Sequence, residues 1–167
     1  MANSGAYAFR ANLDGDAADD EVIIRNGSIL VREGDTLPGL NGFTLTAFGS
    51  GPVEVSDAGH VLWFGDWNDP NTDIDTGLFL DDLLIVQEGV TTVNGMVLDA
   101  ISGIEDGYKL SDNGLYGVFR GQFVGGIDGV FLLDFSGPVP VRVSQLLAVP
   151  QDRHVVLSWE TSVEVQH

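Results

Sequence analysis

NSGAYAF at residues 3–9 returns as DAGHVLW at residues 57–63 and as DNGLYGV at residues 112–118. Each segment has a polar pair, a glycine and the start of an apolar run. The glycines, at positions 5, 59 and 114, are 54 and 55 residues apart (59 − 5 and 114 − 59). A fixed period of this size is typical of stacked copies of one supersecondary unit. The sequence therefore predicts a repeat protein with three units.

The composition favours β-structure throughout. The chain has 167 residues, of which 22 are glycine and 44% are hydrophobic, and the mean hydropathy is +0.14. Short runs of Val, Ile, Leu, Phe and Thr between glycines are typical of strands joined by tight turns. No stretch shows the apolar period of 3.6 that an amphipathic helix requires. We predict an all-β fold.

The first two units follow one plan, in which a polar loop separates the first strand from a hairpin. In the first unit the hairpin has strands at 21–25 and 28–32 around Asn26-Gly27, which is a strong signal for a two-residue turn. In the second unit the corresponding strands lie at 77–80 and 83–87. A fourth strand is predicted in each unit, at residues 42–48 and 95–100.

The third unit begins like the others and then departs from the plan. Its polar loop is short, and prolines at 138 and 140 favour an edge strand or a linker. We therefore predict a repeat region at 1–137 with units at about 2–55, 56–110 and 111–137, a proline-containing linker or substitute third strand at 138–153, and a tail strand at 154–167.

The charge and the absence of cysteine exclude several classes of function. The chain has 25 acidic residues and 7 lysines or arginines, which gives a net charge of −18 and a pI of about 4.1. Nucleic acids and anionic membrane surfaces require clustered basic residues, so neither is an expected partner. The sequence has no cysteine for a disulfide or a thiolate site, and no apolar run of the roughly 18 residues needed to cross a bilayer.

The repeat resembles the tandem repeats of secreted bacterial β-propeller-like proteins, the "choice-of-anchor" repeat proteins. The resemblance covers about residues 2–135 and rests on the unit starts at 56–59 and 111–114 and on the unit ends at 32–35 and 87–89. Residues 157–161 resemble the first strand of a fibronectin-III-like module. The resemblance implies four-stranded antiparallel blades in an extracellular or cell-surface protein, and it implies no catalytic activity.

Three blades are too few for an ordinary propeller, which has four to eight. Three arrangements remain open: the chain is a fragment of a longer protein, partner chains supply further blades, or the units close as in a β-trefoil. Fragment and assembly are both favoured by open strand edges at terminal repeats. We therefore expect a homo-oligomer or further repeats of a longer chain.

Acidic loops between the first and second strands are the candidate metal sites. Ca²⁺ takes six to eight oxygen ligands, and aspartates at short spacing supply several of them from one loop. A solvated polar loop is the alternative reading. The predicted Ca²⁺ ligands are Asp14, Asp16, Asp19 and Asp20 in the first unit and Asp66, Asp69, Asp73 and Asp75 in the second.

Trp67 is the candidate ligand-binding residue, because the sequence places it within the second acidic loop. An exposed ring there would stack on a sugar or on a partner surface, and the alternative is that it folds back on its own blade. Phe9, Trp63, Phe119 and the other strand aromatics are predicted to form the core.

No arrangement in the sequence indicates catalysis. The three histidines are widely separated, His60 is expected at a surface or core edge, and no nucleophile elbow or dinucleotide fingerprint occurs. We predict a protein that is not an enzyme.

The tail strand is the candidate assembly element, with Val155, Leu157 and Trp159 on one face. It would either add to the open edge of a neighbouring molecule or pair within its own chain. The sequence thus predicts a structural or adhesive protein that self-assembles through strand edges or blade faces, into filaments or rings. The alternative is a Ca²⁺-stabilised ligand- or carbohydrate-binding module of a larger secreted protein.

Overall fold

A computed structural model describes residues 1–15, 19–104, 106–137, 142–151 and 154–159, the last two ranges by their backbone. The described chain consists of strands and turns without a helix, which confirms the all-β prediction. The strands form three antiparallel sheets, and none of the described sheets closes on itself. A trefoil-like closure is therefore not seen in this part of the chain.

Sheet 1 is formed by the first strand and the hairpin of the first unit. The predicted hairpin is confirmed, with Asn26 (φ 49°) and Gly27 (φ 84°) in the left-handed conformation that the two-residue turn requires. The strands of sheet 1 are β1 (Ala8–Asn12), β2 (Glu21–Arg25) and β3 (Ser28–Arg32).

Sheet 2 has five strands, in which both β4 and β5 pair with β6 and the order continues to β7 and β8. Its hairpin turns at Asp81, which has a φ of 56°. The strands are β4 (Leu45–Ala47), β5 (Glu54–Val55), β6 (Val61–Trp67), β7 (Thr76–Leu80) and β8 (Leu83–Gln87).

Sheet 3 has the order β15-β14-β13-β12-β10-β9, and β11 also pairs with β12. The strands are β9 (Thr92–Val93), β10 (Met96–Ile101), β11 (Tyr108–Leu110), β12 (Tyr116–Phe123), β13 (Ile127–Asp134), β14 (Arg142–Gln151) and β15 (His154–Trp159).

Each of sheets 2 and 3 takes its outer strands from the preceding unit. The predicted fourth strand of the first unit is β4, and it pairs with β6 of sheet 2 through Leu45 and Trp67. The fourth strand of the second unit is β10, and it pairs with β12 of sheet 3 through Leu98 and Phe123. The sheets are therefore offset from the sequence repeat.

The chain passes from one sheet to the next at the Glu-Gly sequence that follows the third strand in each of the first two units. Gly34 (φ 84°) donates its N–H to the carbonyl of Leu45 at 2.9 Å, and Gly89 (φ 67°) donates to the carbonyl of Leu98 at 2.7 Å. A left-handed residue is needed at this point, and glycine adopts it without a steric penalty. The turn thus sends the chain from one sheet into the next.

Sheets 1 and 2 have the same strand register, and in sheet 3 Phe119, opposite Phe131, takes the place of Trp63. Phe9 lies opposite Ile24 in sheet 1, as Trp63 lies opposite Phe79 in sheet 2. The second hairpin strand has a bulge at the same place in both sheets, at Leu30 in β3 and at Ile85 in β8. Positions in different units are therefore compared below by register.

The sheets pack face to face, with sheet 2 in the middle. We call the side that carries Phe9, Trp63 or Phe119 the front face of its sheet, and the opposite side the back face. The back of sheet 1 packs on the front of sheet 2 in one core cluster, and the back of sheet 2 packs on the front of sheet 3 in the other. Both faces of sheet 2 are consequently buried.

Trp63 and Phe9 occupy equivalent front-face positions in different environments. Trp63 is 1% exposed and its ring stacks on that of Phe79 at 4.2 Å, whereas Phe9 is 46% exposed. We expect Trp63→Ala to lower the free energy of unfolding by about 3–5 kcal/mol, because it leaves a cavity in the core. Phe9→Ala is expected to lower it by less than about 1 kcal/mol in the monomer.

Urea unfolding followed by circular dichroism, at a concentration where the protein is monomeric, measures both values. Equal losses for the two variants would contradict the assignment of Phe9 to an open face.

Candidate functional site

The second acidic loop, residues 68–75, connects β6 to β7 and is held by its own side chains. Asp69 accepts the N–H of Asn71 at 2.9 Å, and Asn71 accepts the N–H of Asp73 at 3.3 Å. Asp66, in β6 just before this loop, accepts the hydroxyl of Thr46 at 3.0 Å. These oxygens therefore stabilise the loop and its contact with the β4 region.

Burial and crowding raise the pKa of Asp75. Burial is the largest cause, and the negative charges of Asp66, Asp69 and Asp73 act in the same direction. The four predicted ligands of the second loop thus lie within electrostatic reach of one another. They do not form a ready coordination shell, since no group of three or more His, Cys, Asp or Glu side chains among the described residues is arranged to hold a metal ion.

The first acidic loop is neutralised in part by an arginine. The guanidinium of Arg32 contacts the carboxylate of Asp19 at 3.2 Å and also donates to the carbonyl oxygen of Asp19. Asp20 accepts the side-chain amide of Asn12 at 3.4 Å. Asp14 is exposed, and Asp16 lies outside the described residues. Calcium binding at either loop stays a prediction.

Trp67 is placed differently from what the sequence indicated. It is the last residue of β6 rather than a loop residue, it is 2% exposed, and its ring packs edge-on against Phe79 at 6.1 Å. The indole lies on the front face of sheet 2 and is buried in the core cluster that includes Ile23 and Val31 of sheet 1, with Leu45 beside it as its register partner in β4. The structure corresponds to the alternative in which Trp67 folds back on its own sheet, and the ring is not on the surface for stacking.

The tail strand pairs within its own chain. The register of β15 against β14 places Val155 opposite Pro150, Leu157 opposite Ala148 and Trp159 opposite Leu146. The backbone of these residues is thus used in sheet 3, and their side chains lie outside the description. One edge of this strand therefore pairs within its own chain, and its addition to a neighbouring molecule stays a prediction.

The turns that begin the three units meet at one place. Ser4 donates its N–H to the carboxylate of Asp57 at 3.1 Å, and Asp57 donates its N–H to the carbonyl of Asp112 at 2.7 Å. Asn3 occupies the position equivalent to these two aspartates, and its side-chain amide donates to the carboxylate of Asp112 at 3.5 Å. The repeated polar residues of the unit starts therefore have a structural role in joining the units.

A candidate interaction surface that the sequence did not indicate lies on the front face of sheet 1. On the front face of sheet 1, four apolar side chains are exposed, whereas the Trp63 and Trp67 rings on the front of sheet 2 are buried. Phe9 was predicted to be core, and this is wrong because no sheet among the described residues covers it. The exposed residues are Tyr7, Phe9, Leu13 and Ile29.

The edge of sheet 1 is open as well. In sheet 2 the outer edge of β6 is occupied by β4 and β5, and in sheet 3 the outer edge of β12 is occupied by β10 and β11. In the part of the chain that the structure describes, no strand pairs with the outer edge of β1. Sheet 1 thus exposes both a face and an edge that the other sheets bury.

A shallow cavity of about 220 Å³ lies where β10, β12 and β13 meet. Its polar lining includes Arg120, Gln122 and Asp128, and the Gln122 amide donates to the Asp128 carboxylate at 3.0 Å. The side chains of Arg120 and Gln122 belong to the back face of sheet 3 by their strand alternation.

No protein-family model, curated protein or solved structure matches this chain significantly. Among the described residues there is no helix of the length and apolarity that crossing a membrane requires. The functional argument therefore rests on the chain's own geometry.

Glu88 provides a test of the electrostatics beside the second loop. Burial raises its pKa, the charges of Asp75, Asp99 and Asp73 raise it further, and a hydrogen bond from Thr76 acts against them. The folded protein therefore binds this proton more tightly than the unfolded chain does. Its stabilising contribution is present below the ordinary carboxyl pKa and is lost as the pH rises through the raised value.

We expect Glu88→Gln to raise the free energy of unfolding at pH 7 by about 0.5 kcal/mol, a size usual for a partly exposed site, and to change it little at pH 4. Urea titrations at the two pH values measure the difference. Asp82→Asn, which removes a charge from an exposed turn, is the control. A Glu88→Gln variant that is less stable at pH 7 would contradict the assignment.

Proposed function

We propose that this protein is a non-catalytic structural or adhesive repeat protein of the cell exterior, which self-assembles through exposed sheet faces or strand edges. The observation that carries the proposal is the open front of sheet 1. Phe9 and Leu13 are exposed there, and the residues in the same register of sheet 2, Trp63 and Trp67, are buried.

The exposed residues form a patch rather than isolated positions. The ring of Tyr7, just before β1, stacks on that of Phe9 in β1 with 6.3 Å between the centroids, and Ile24 and Ile29 continue the same face across β2 and β3. Contiguous apolar patches on soluble proteins usually mark interaction sites. The unpaired edge of β1 supports the same conclusion, because an open edge offers free N–H and C=O groups to another strand.

The mass of the protein in solution tests the proposal. We expect light scattering behind size-exclusion chromatography to show species larger than one chain, with a fraction that rises over about a hundredfold range of concentration, by mass action. Added salt is expected to increase this fraction, because it screens the repulsion between chains of net charge −18.

A mass of one chain at every concentration and every salt level would remove the proposal. Native mass spectrometry on the same samples is the independent check.

The second candidate is a Ca²⁺-stabilised ligand- or carbohydrate-binding module. The observation in its favour is the crowding around Asp75, since a bound cation would relieve the repulsion from Asp66, Asp69 and Asp73. If Ca²⁺ binds the folded state alone, the melting temperature falls on chelation and rises again with added Ca²⁺. An unchanged midpoint in both directions removes this candidate, and Asp73→Asn is the variant that assigns an observed shift to the second loop.

A further inference from the structure

We infer that a second copy of this chain docks head to tail, with the front face of sheet 1 of one molecule on the back face of sheet 3 of the other. The inference rests on the proposed function and specifies which surfaces assemble and in which direction. Its evidence is the sheet-to-sheet interface that the chain itself contains twice.

The front of sheet 1 is one half of that interface. In register with the buried Val61, Trp63 and Trp67 of sheet 2 it has Tyr7, Phe9 and Leu13. In sheet 3 the same front positions hold Phe119 and Phe123, which are also buried. Two of the three fronts are therefore covered by the back of another sheet. The third has apolar side chains at the same positions and no described sheet lies on it, although Val22 of this face is buried.

The back of sheet 3 is the other half. Val118 and Val130 are 37% and 38% exposed, and in register with them on sheet 2 are Leu62 and Leu78, both 0% exposed against the front of sheet 3. The back of sheet 3 thus has apolar side chains at the positions that bind a front face. No described sheet lies on it.

A second copy of the chain fits both the front of sheet 1 and the back of sheet 3. One chain carries a free front at one end and a free back at the other, so copies continue the interface that joins sheets 1, 2 and 3. Arg120, in register with Phe64, and Asp128 are opposite charges on this back face, so the apolar positions Val118 and Val130 carry the match between the two surfaces.

The contact is heterologous, because it joins two different surfaces. Each added molecule presents a new front or back, so such contacts produce rings if the rotation closes and filaments if it does not. A symmetric dimer through two front faces is the competing arrangement, and it would leave the backs of sheet 3 without a role.

Two variants that each damage one face test the direction. Phe9→Arg damages the front and Val130→Arg damages the back, and both lower the net negative charge, so a loss of assembly cannot come from added repulsion. Val124→Arg, at an exposed apolar position in the turn after β12, is the control. If the circular dichroism or melting of Phe9→Arg differs from that of the wild type, Tyr7→Arg takes its place. Val118→Arg takes the place of Val130→Arg in the same case.

We expect each face variant alone to raise the apparent dissociation constant by at least about tenfold, whereas Val124→Arg assembles like the wild type. A mixture of Phe9→Arg and Val130→Arg is expected to form one-to-one dimers and nothing larger, because one intact front meets one intact back. Light scattering and native mass spectrometry of the separate and mixed samples measure this.

The other outcomes separate this inference from the proposed function. If the wild type assembles and Val130→Arg has no effect while Phe9→Arg is monomeric, the contact is front to front and the inference is wrong. If neither face variant changes assembly, strand edges or other surfaces hold the copies together, and again only the inference fails. A wild type that stays monomeric removes both.

Discussion

Sheet 2 is apolar on both faces, and exposing either face to water is unfavourable. Along β6 the side chains alternate between two cores: Val61 and Trp63 point to sheet 1, and Leu62 and Phe64 point to sheet 3. Each large apolar side chain that is fully buried contributes about 1.5–3 kcal/mol. Both apolar faces of sheet 2 are buried only when another sheet packs on each side. The three sheets therefore form a stack.

The stack is joined by backbone as well as by side chains. Because Gly34 and Gly89 lead the chain into the next sheet, β4 and β10 leave the unit that encodes them and complete the following one. Neither of sheets 2 and 3 can form its full edge without the unit before it. This explains why the packing unit and the sequence unit differ.

The parts of the fold that could be predicted are set by residues close together in the sequence. The parts that could not be predicted are set by contacts between residues far apart in the sequence. Asn26-Gly27 determines its hairpin locally, so the bounds of β2 and β3 followed from the sequence. Trp67 was misplaced because its burial requires distant residues of sheet 1, Ile23 and Val31 among them, to pack on the front of sheet 2. The candidate site could be predicted even less well from the sequence. Phe9 and Trp63 have the same sequence context, and only the order of their sheets in the stack exposes Phe9 and buries Trp63.

Much of the negative charge lies in loops away from the exposed apolar side chains, although Arg120 and Asp128 lie beside Val130 on the back of sheet 3. Asp69, Asp73 and Asp75 lie in the second loop at a sheet end, whereas Phe9 and Val130 lie on open sheet faces. Repulsion between exposed charges is screened over about 8 Å at physiological ionic strength, and apolar contact acts only where two faces meet. Under the proposed assembly, copies repel at a distance and attract on contact, so we expect the ionic strength of the surroundings to set the balance between single molecules and assemblies.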